Sequence, residues 1–149
     1  MSFCPTSNLF LGSGLFDISA AQSYNARIGL GTDVGAGTSF NMLNTLAEAY
    51  KVAQMSGRSI SAYELLYLAT LGSARSLYLD DKVGNFQQGK EADFVVLDLE
   101  STPLMKRRIQ ATTDIAEILF AVIMLGDDRS VFATHVMGER AYLKTNTGK

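Results

Sequence analysis

Ile28-Gly-Leu-Gly-Thr-Asp33-Val-Gly-Ala-Gly-Thr-Ser-Phe40 joins a short apolar run to a single acid, then to glycines and a strongly amphipathic stretch. That order suits a strand delivering one carboxylate to the rim of an α/β sheet or barrel, where chemistry gathers at the C-terminal strand ends. Asp33 is thereby the leading candidate for a functional side chain. A second reading stays open, because an acid at this point also serves as a turn or helix-capping group.

Working outward, Ser39 is placed to cap a helix whose apolar residues Phe40, Leu43, Leu46, Ala47, Tyr50 and Ala53 recur at helical spacing. Gly57 is its stop signal. Ser61-Ala-Tyr-Glu64 has the capping-box pattern and predicts a helix with Leu65, Leu68 and Ala69 on one face. Gly72 is expected to interrupt that helix, with residues 73–79 adding another turn or two. Upstream, Cys4-Pro-Thr-Ser-Asn8 favours a turn or loop, since Ser and Asn offer the backbone local hydrogen bonds. Gly12 and Gly14 extend that irregular stretch. Asp17 suits the N-cap of a short helix reaching about Ala26, and Ile28 to Leu30 form a short buried strand. The order loop, helix, strand, helix, helix fits the end of a repeating βα pattern.

The character changes after Asp80. Gly84 and Gly89 bracket a turn-rich segment, and Phe94-Val-Val-Leu97 is a short β run between two acids. A basic linker follows. A helix is predicted from Asp114 to about Leu125, with Ile115, Ile118, Leu119 and Val122 inward. Val131 to Met137 and Arg140 to Leu143 read as a hairpin around Gly138-Glu139, and residues 144–149 as a frayed polar end.

The 149 residues are 47% hydrophobic and 19% charged, which is enough for one domain with a core. Net charge is -2, and Lys106-Arg107-Arg108 is the one basic cluster, read as a solvated turn, so no nucleic-acid partner is expected. No apolar run approaches the roughly 20 residues a bilayer span requires, so no membrane association is expected. The N-terminus has no basic region ahead of an apolar stretch, and the sequence predicts no signal peptide. One cysteine, Cys4, excludes an internal disulfide and suits a cytoplasmic protein.

Catalytic zinc sites draw about three protein ligands from His, Asp, Glu and Cys. The chain has one histidine, His135, inside the C-terminal strand pattern, and no His-x-His, His-x-x-Glu or Cys-x-x-Cys. His135 reads as a strand residue rather than a ligand, and Cys4 as a small buried thiol rather than a nucleophile. Gly29, Gly31, Gly35 and Gly37 match neither GxGxxG nor a Walker loop, and Ser13 lacks the nucleophile-elbow spacing.

Three blocks carry a resemblance. Cys4-Pro-Thr-Ser-Asn-Leu-Phe-Leu-Gly-Ser-Gly-Leu-Phe16, Gly31-Thr-Asp-Val-Gly-Ala-Gly-Thr-Ser-Phe40 and Gly89-Lys-Glu-Ala-Asp-Phe-Val-Val-Leu-Asp98 are similar to successive blocks of the amidohydrolase superfamily. The middle block, running into Met42-Leu-Asn-Thr-Leu46 and Ala49-Tyr-Lys-Val52, resembles the guanine deaminase branch, and the likeness reaches about Tyr142. The resemblance implies a metal-dependent (β/α)8 TIM barrel with a small β-sandwich built from both chain ends. It implies zinc held by histidines and by the aspartate ending the last strand, the position Asp33 matches, as metal ligand and catalytic proton shuttle. Guanine and water are the implied substrates, hydrolysed to xanthine and ammonia. Many relatives carry histidine before the Cys-Pro pair where this chain has Phe3, to which no role is transferred.

A whole barrel takes about 250 residues, so the expectation is an α/β C-terminal portion of one: an incomplete barrel plus the C-terminal part of the sandwich. Residues 1–80 would supply the last βα units, 81–98 and 131–143 sandwich strands, and 99–130 a linker and a helix packing on the barrel. Alone, such a chain is expected to bind no stoichiometric zinc and to be inactive. Its open strand edges predict a partner carrying the N-terminal part or a homo-oligomer, and the resemblance implies a homodimer for the complete enzyme. The alternatives are a piece of another amidohydrolase acting on an aminated or chlorinated ring, or a non-catalytic assembly module.

Overall fold

A computed structural model describes residues 1–145. The chain is a mixed α/β structure with two small sheets and seven α-helices among the described residues. Strand β1 (Ser2–Phe3) pairs in parallel with β2 (Gly29–Leu30), Phe3 opposite Leu30. Between them lie α1 (Pro5–Leu11) and α2 (Ile18–Ser23). After β2 come α3 (Met42–Met55), α4 (Ala62–Ala69) and α5 (Leu71–Ser76). The second half holds β3 (Phe94–Leu97), α6 (Pro103–Gln110), α7 (Ile115–Leu125), β4 (Val131–Val136) and β5 (Glu139–Leu143). β3, β4 and β5 form one antiparallel sheet in that order.

One hydrophobic core joins β1 and β2 to the helices. Phe3, Leu46, Leu65, Met105 and Ile123 are its most buried large side chains, and they come from β1, α3, α4, α6 and α7. Phe3 also stacks on Phe16, ring centroids 4.8 Å apart. The parallel strands are thus anchored on the apolar faces of helices that follow them in sequence.

Two caps are those the sequence predicts: Asp17 accepts from the Ala20 amide and Ser61 from that of Glu64. Asp114, read as the first residue of its helix, is its N-cap and accepts from the Ala116 amide. The cap of α3 is Asn41, whose Oδ1 takes the Leu43 amide at 2.9 Å, while Ser39 accepts from the Asn41 amide. Phe40 consequently precedes the helix and is exposed. Glu64 does not complete the capping box because its carboxylate is held by Arg58.

Further expectations are corrected. Residues 5–11 are helical: Pro5 opens α1, where a missing N–H costs nothing, and Gly12 ends it with φ +67°. The basic linker contains α6, capped by Thr102 and opened by Pro103, so Lys106, Arg107 and Arg108 lie on a helix rather than a turn. The break after α4 falls at Thr70 (ψ −98°), with Gly72 inside α5. Ile115 is exposed, and the buried face of α7 is Ala121, Val122 and Ile123. The hairpin turn is Met137-Gly138, with φ of +53° and +81°. Of the polar end, 146–149 lies outside the described residues. No described helix is long and apolar enough to cross a membrane.

Candidate functional site

Because β1 and β2 run parallel, their C-terminal ends open on one rim, where Cys4 and the segment Gly31 to Asp33 emerge side by side. Gly31 N–H donates to the Phe3 carbonyl at 3.0 Å and extends the pairing one residue beyond Leu30. A Cβ on Gly31 would sit 2.7 Å from Ser2 Oγ and 3.2 Å from Cys4 Sγ, so a glycine lets these side chains cross the strand. Ser2 Oγ and Cys4 Sγ are 3.2 Å apart. Cys4 is partly exposed rather than buried, its thiol lying beside Ser2 and Gly31.

Asp33 ends this segment with an exposed side chain and a left-handed backbone, φ +49°. A non-glycine residue in that region is uncommon, and Asp is among the types that tolerate it. A tight loop fixes it. The Asp33 carbonyl accepts from Ala36 N–H at 3.2 Å and from Gly37 N–H at 2.5 Å. The Thr32 carbonyl accepts a long hydrogen bond, 3.5 Å, from the hydroxyl of Thr6, a buried residue of α1. The Asp33 carboxylate itself accepts no hydrogen bond among the described residues. Asp33 is not an N-cap, since α3 begins nine residues later behind Asn41. Alongside, a cavity of about 330 Å³ is lined by Thr6, Leu9, Phe10, Thr38, Asn44 and Glu48.

The other candidates lie elsewhere. His135 is on β4, partly buried, with its ring stacked on Phe94 at a centroid distance of 4.4 Å. Its Nδ1 is buried without a hydrogen-bond partner. Among the described residues no three His, Cys, Asp or Glu side chains converge as a metal site. The structure also reveals residues whose importance motif reading passes over: Gly37 and Thr6 at the Asp33 loop, and Ser73 against β2. The Gly-Ala-Gly sequence is the one local signal for the first. The others depend on contacts between residues 26 and 43 positions apart.

Comparison with known proteins bears on the whole chain. The Amidohydrolase family profile matches residues 1–140. Guanine deaminase of Escherichia coli (strain K12) is 55% identical over 142 residues, covering 95% of this chain and 32% of that protein. The solved E. coli guanine deaminase superposes with a TM-score of 0.94 at 54% identity, over 97% of this chain and 34% of that one. A guanine deaminase from C. acetobutylicum, solved with guanine bound in its active site, gives 0.78 at 28% identity over 95% and 33%. An adenosine deaminase from Xanthomonas campestris with bound zinc gives 0.78 at 26% over 95% and 31%. The chain spans about a third of the length of the curated relatives it matches.

Proposed function

The chain belongs to the amidohydrolase family, and we propose that it is the C-terminal third of a guanine deaminase, with Asp33 the metal-binding carboxylate ending the last barrel strand. The observation that carries this reading is the place of Asp33. It is the acid at the C-terminal rim of a parallel pair, in a chain 55% identical to a guanine deaminase across 95% of its length. In this reading residues 1–80 are the last βα units, and 81–98 with 131–143 belong to a composite β-sandwich. The common sheet of β3, β4 and β5 supports the latter.

The described residues do not fit a self-sufficient zinc site, which takes about three protein ligands where only isolated candidates stand. Asp33 fits one place in such a site: exposed and unengaged by other side chains, its carboxylate is acceptor-only when ionised. Beside a hydrolytic water its Oδ atoms can take up a proton. For the whole protein the proposed reaction bonds water oxygen to the guanine ring carbon and breaks the C–N bond to the exocyclic amine, leaving xanthine and ammonia. Zinc and the guanine-contacting groups are assigned to the remainder of the protein, and the free thiol of Cys4 suits the cytoplasm.

The partner proposed is that remainder, with a homodimer for the complete enzyme. Exposed apolar side chains on the rim helix and loops, among them Leu9, Phe10, Leu15 and Phe40, support a covered surface. The test is co-expression with the N-terminal two thirds of E. coli guanine deaminase, following ammonia release from guanine. The two parts are expected to co-purify and turn over guanine, and neither part alone to do so. A chain that fails to associate, or a pair that associates and stays inactive, refutes the reading.

A further inference from the structure

Gly37 occupies a position with no room for a side chain. A Cβ there would lie 1.9 Å from the Thr32 carbonyl oxygen and 2.9 Å from that of Asp33. Both neighbours are backbone atoms, so no side-chain rotation relieves the clash. Gly35, two residues earlier, presents the opposite case: it has φ +125° and nothing within 4 Å of its Cβ position. Gly37 is therefore glycine for close approach, and the groups that approach it are the two carbonyls flanking the Asp33 α-carbon.

The same two carbonyls hold the loop. The Gly37 amide donates to the Asp33 carbonyl at 2.5 Å, and the Thr6 hydroxyl reaches the Thr32 carbonyl from α1 at 3.5 Å. Rotating either carbonyl aside turns the peptide planes on each side of Asp33, and with them the direction of its Cβ. The left-handed φ of +49° at Asp33 is uncommon for a residue with a Cβ, and the held planes support it.

We propose that Gly37 is a positioning residue for Asp33, setting the aim of its carboxylate through the Thr32 and Asp33 carbonyls, with Thr6 as the brace from α1. The catalytic part of this inference rests on the reading of Asp33 as a metal-binding carboxylate. The positional part stands on the loop alone. A carboxylate displaced by about an ångström at a reacting centre costs on the order of 100-fold in rate.

Two measurements separate the parts. In the 149-residue chain, Gly37→Ala is compared with unmodified protein by NMR. The Asp33 and Thr32 resonances are expected to shift strongly, while those of β3, β4 and β5 stay in place. Unmoved Asp33 resonances in a folded variant overturn the proposal, as does global unfolding in which the milder Thr6→Val also leaves Asp33 unmoved. In the pair with the N-terminal two thirds of E. coli guanine deaminase, Gly37→Ala is expected to lower kcat roughly 100-fold with KM for guanine nearly unchanged. Thr6→Val is expected to lower kcat less, and Thr6→Ser to restore it. Equal kcat in Gly37→Ala and unmodified pairs overturns the catalytic part. An inactive unmodified pair refutes the metal-ligand reading instead, leaving the NMR result to decide the positioning.

Discussion

Ser73 covers the free edge of the strand at Leu30. Its Oγ accepts from the Leu30 amide at 3.1 Å, and its proton is offered to the Leu68 carbonyl at 2.7 Å, with the Leu30 carbonyl at 3.3 Å. The other edge of the strand is taken by β1 through Gly29 and Gly31. Strand β2 is therefore not open at Leu30, against the expectation of exposed edges on both strands. A helix-borne hydroxyl stands where a further strand would pair.

Removing that hydroxyl strands a buried amide. Ser73→Ala leaves Leu30 N–H without its acceptor in the core, which costs about 1–3 kcal/mol. Urea unfolding of the chain measures this. A change under about 0.5 kcal/mol shows that water or a neighbour takes over the bond.

Gly29 makes the close approach of that helix possible. A Cβ on it would meet Ser73 Cα at 2.5 Å and Ser73 Oγ at 2.6 Å. Gly29→Ala is expected to push α5 off β2 and to destabilise by about 1–3 kcal/mol as an overpacked site. Urea midpoints of Gly29→Ala, Ser73→Ala and the double variant check it. Strictly additive effects would show the two positions to be independent.

The hairpin offers a gain. Met137 is a methionine at φ +53° in the first central position of a two-residue turn, followed by Gly138. Asn-Gly is the preferred pair for such turns. Met137→Asn keeps the amide that donates to Asp93 Oδ1 at 2.7 Å and relieves the backbone, so it should stabilise by about 0.5–1 kcal/mol. A lower urea midpoint would show that the methionine side chain contributes packing that outweighs its strain.

Acid should weaken the second sheet. Asp98 accepts the Glu100 amide and, second, the Lys144 ammonium, and both hold its carboxyl below the ordinary value of 3.8. Arg129 does the same for Asp127. A carboxyl with a lowered folded pKa stabilises fully above its unfolded value, and the contribution is lost as pH falls through the folded one. Stability should therefore hold down to about pH 4 and decline below it, and Asp98→Asn should reduce the decline. A variant with the same acid limb as the unmodified chain would show that Asp98 plays no part in it.

How much of this was legible in the sequence depends on the range of the interaction. The caps at Asp17 and Ser61 can be read because each side chain bonds an amide three residues on. Helix α1 cannot, because Pro5, Ser7 and Asn8 suit a turn as well as a helix start, and packing of Pro5, Thr6 and Ser7 decides between them. Helix α6 is hidden in the same way behind Pro103 and a run of charge, its one fully buried anchor being Met105. Asp33 is legible as an acid after a strand. Its left-handed backbone, the crowding at Gly37 and the brace from Thr6 depend on three-dimensional closure and leave only a glycine as a trace.

In the proposed function, Asp33 serves the chemistry of a guanine deaminase to which this chain contributes the C-terminal third. The most direct measurement is guanine turnover by the chain paired with the N-terminal two thirds of E. coli guanine deaminase, with Asp33 intact and as Asp33→Ala. Turnover is expected in the unmodified pair, with a loss of about 100-fold or more in the variant while the two parts stay associated. Turnover in Asp33→Ala within a few-fold of the unmodified pair would contradict it.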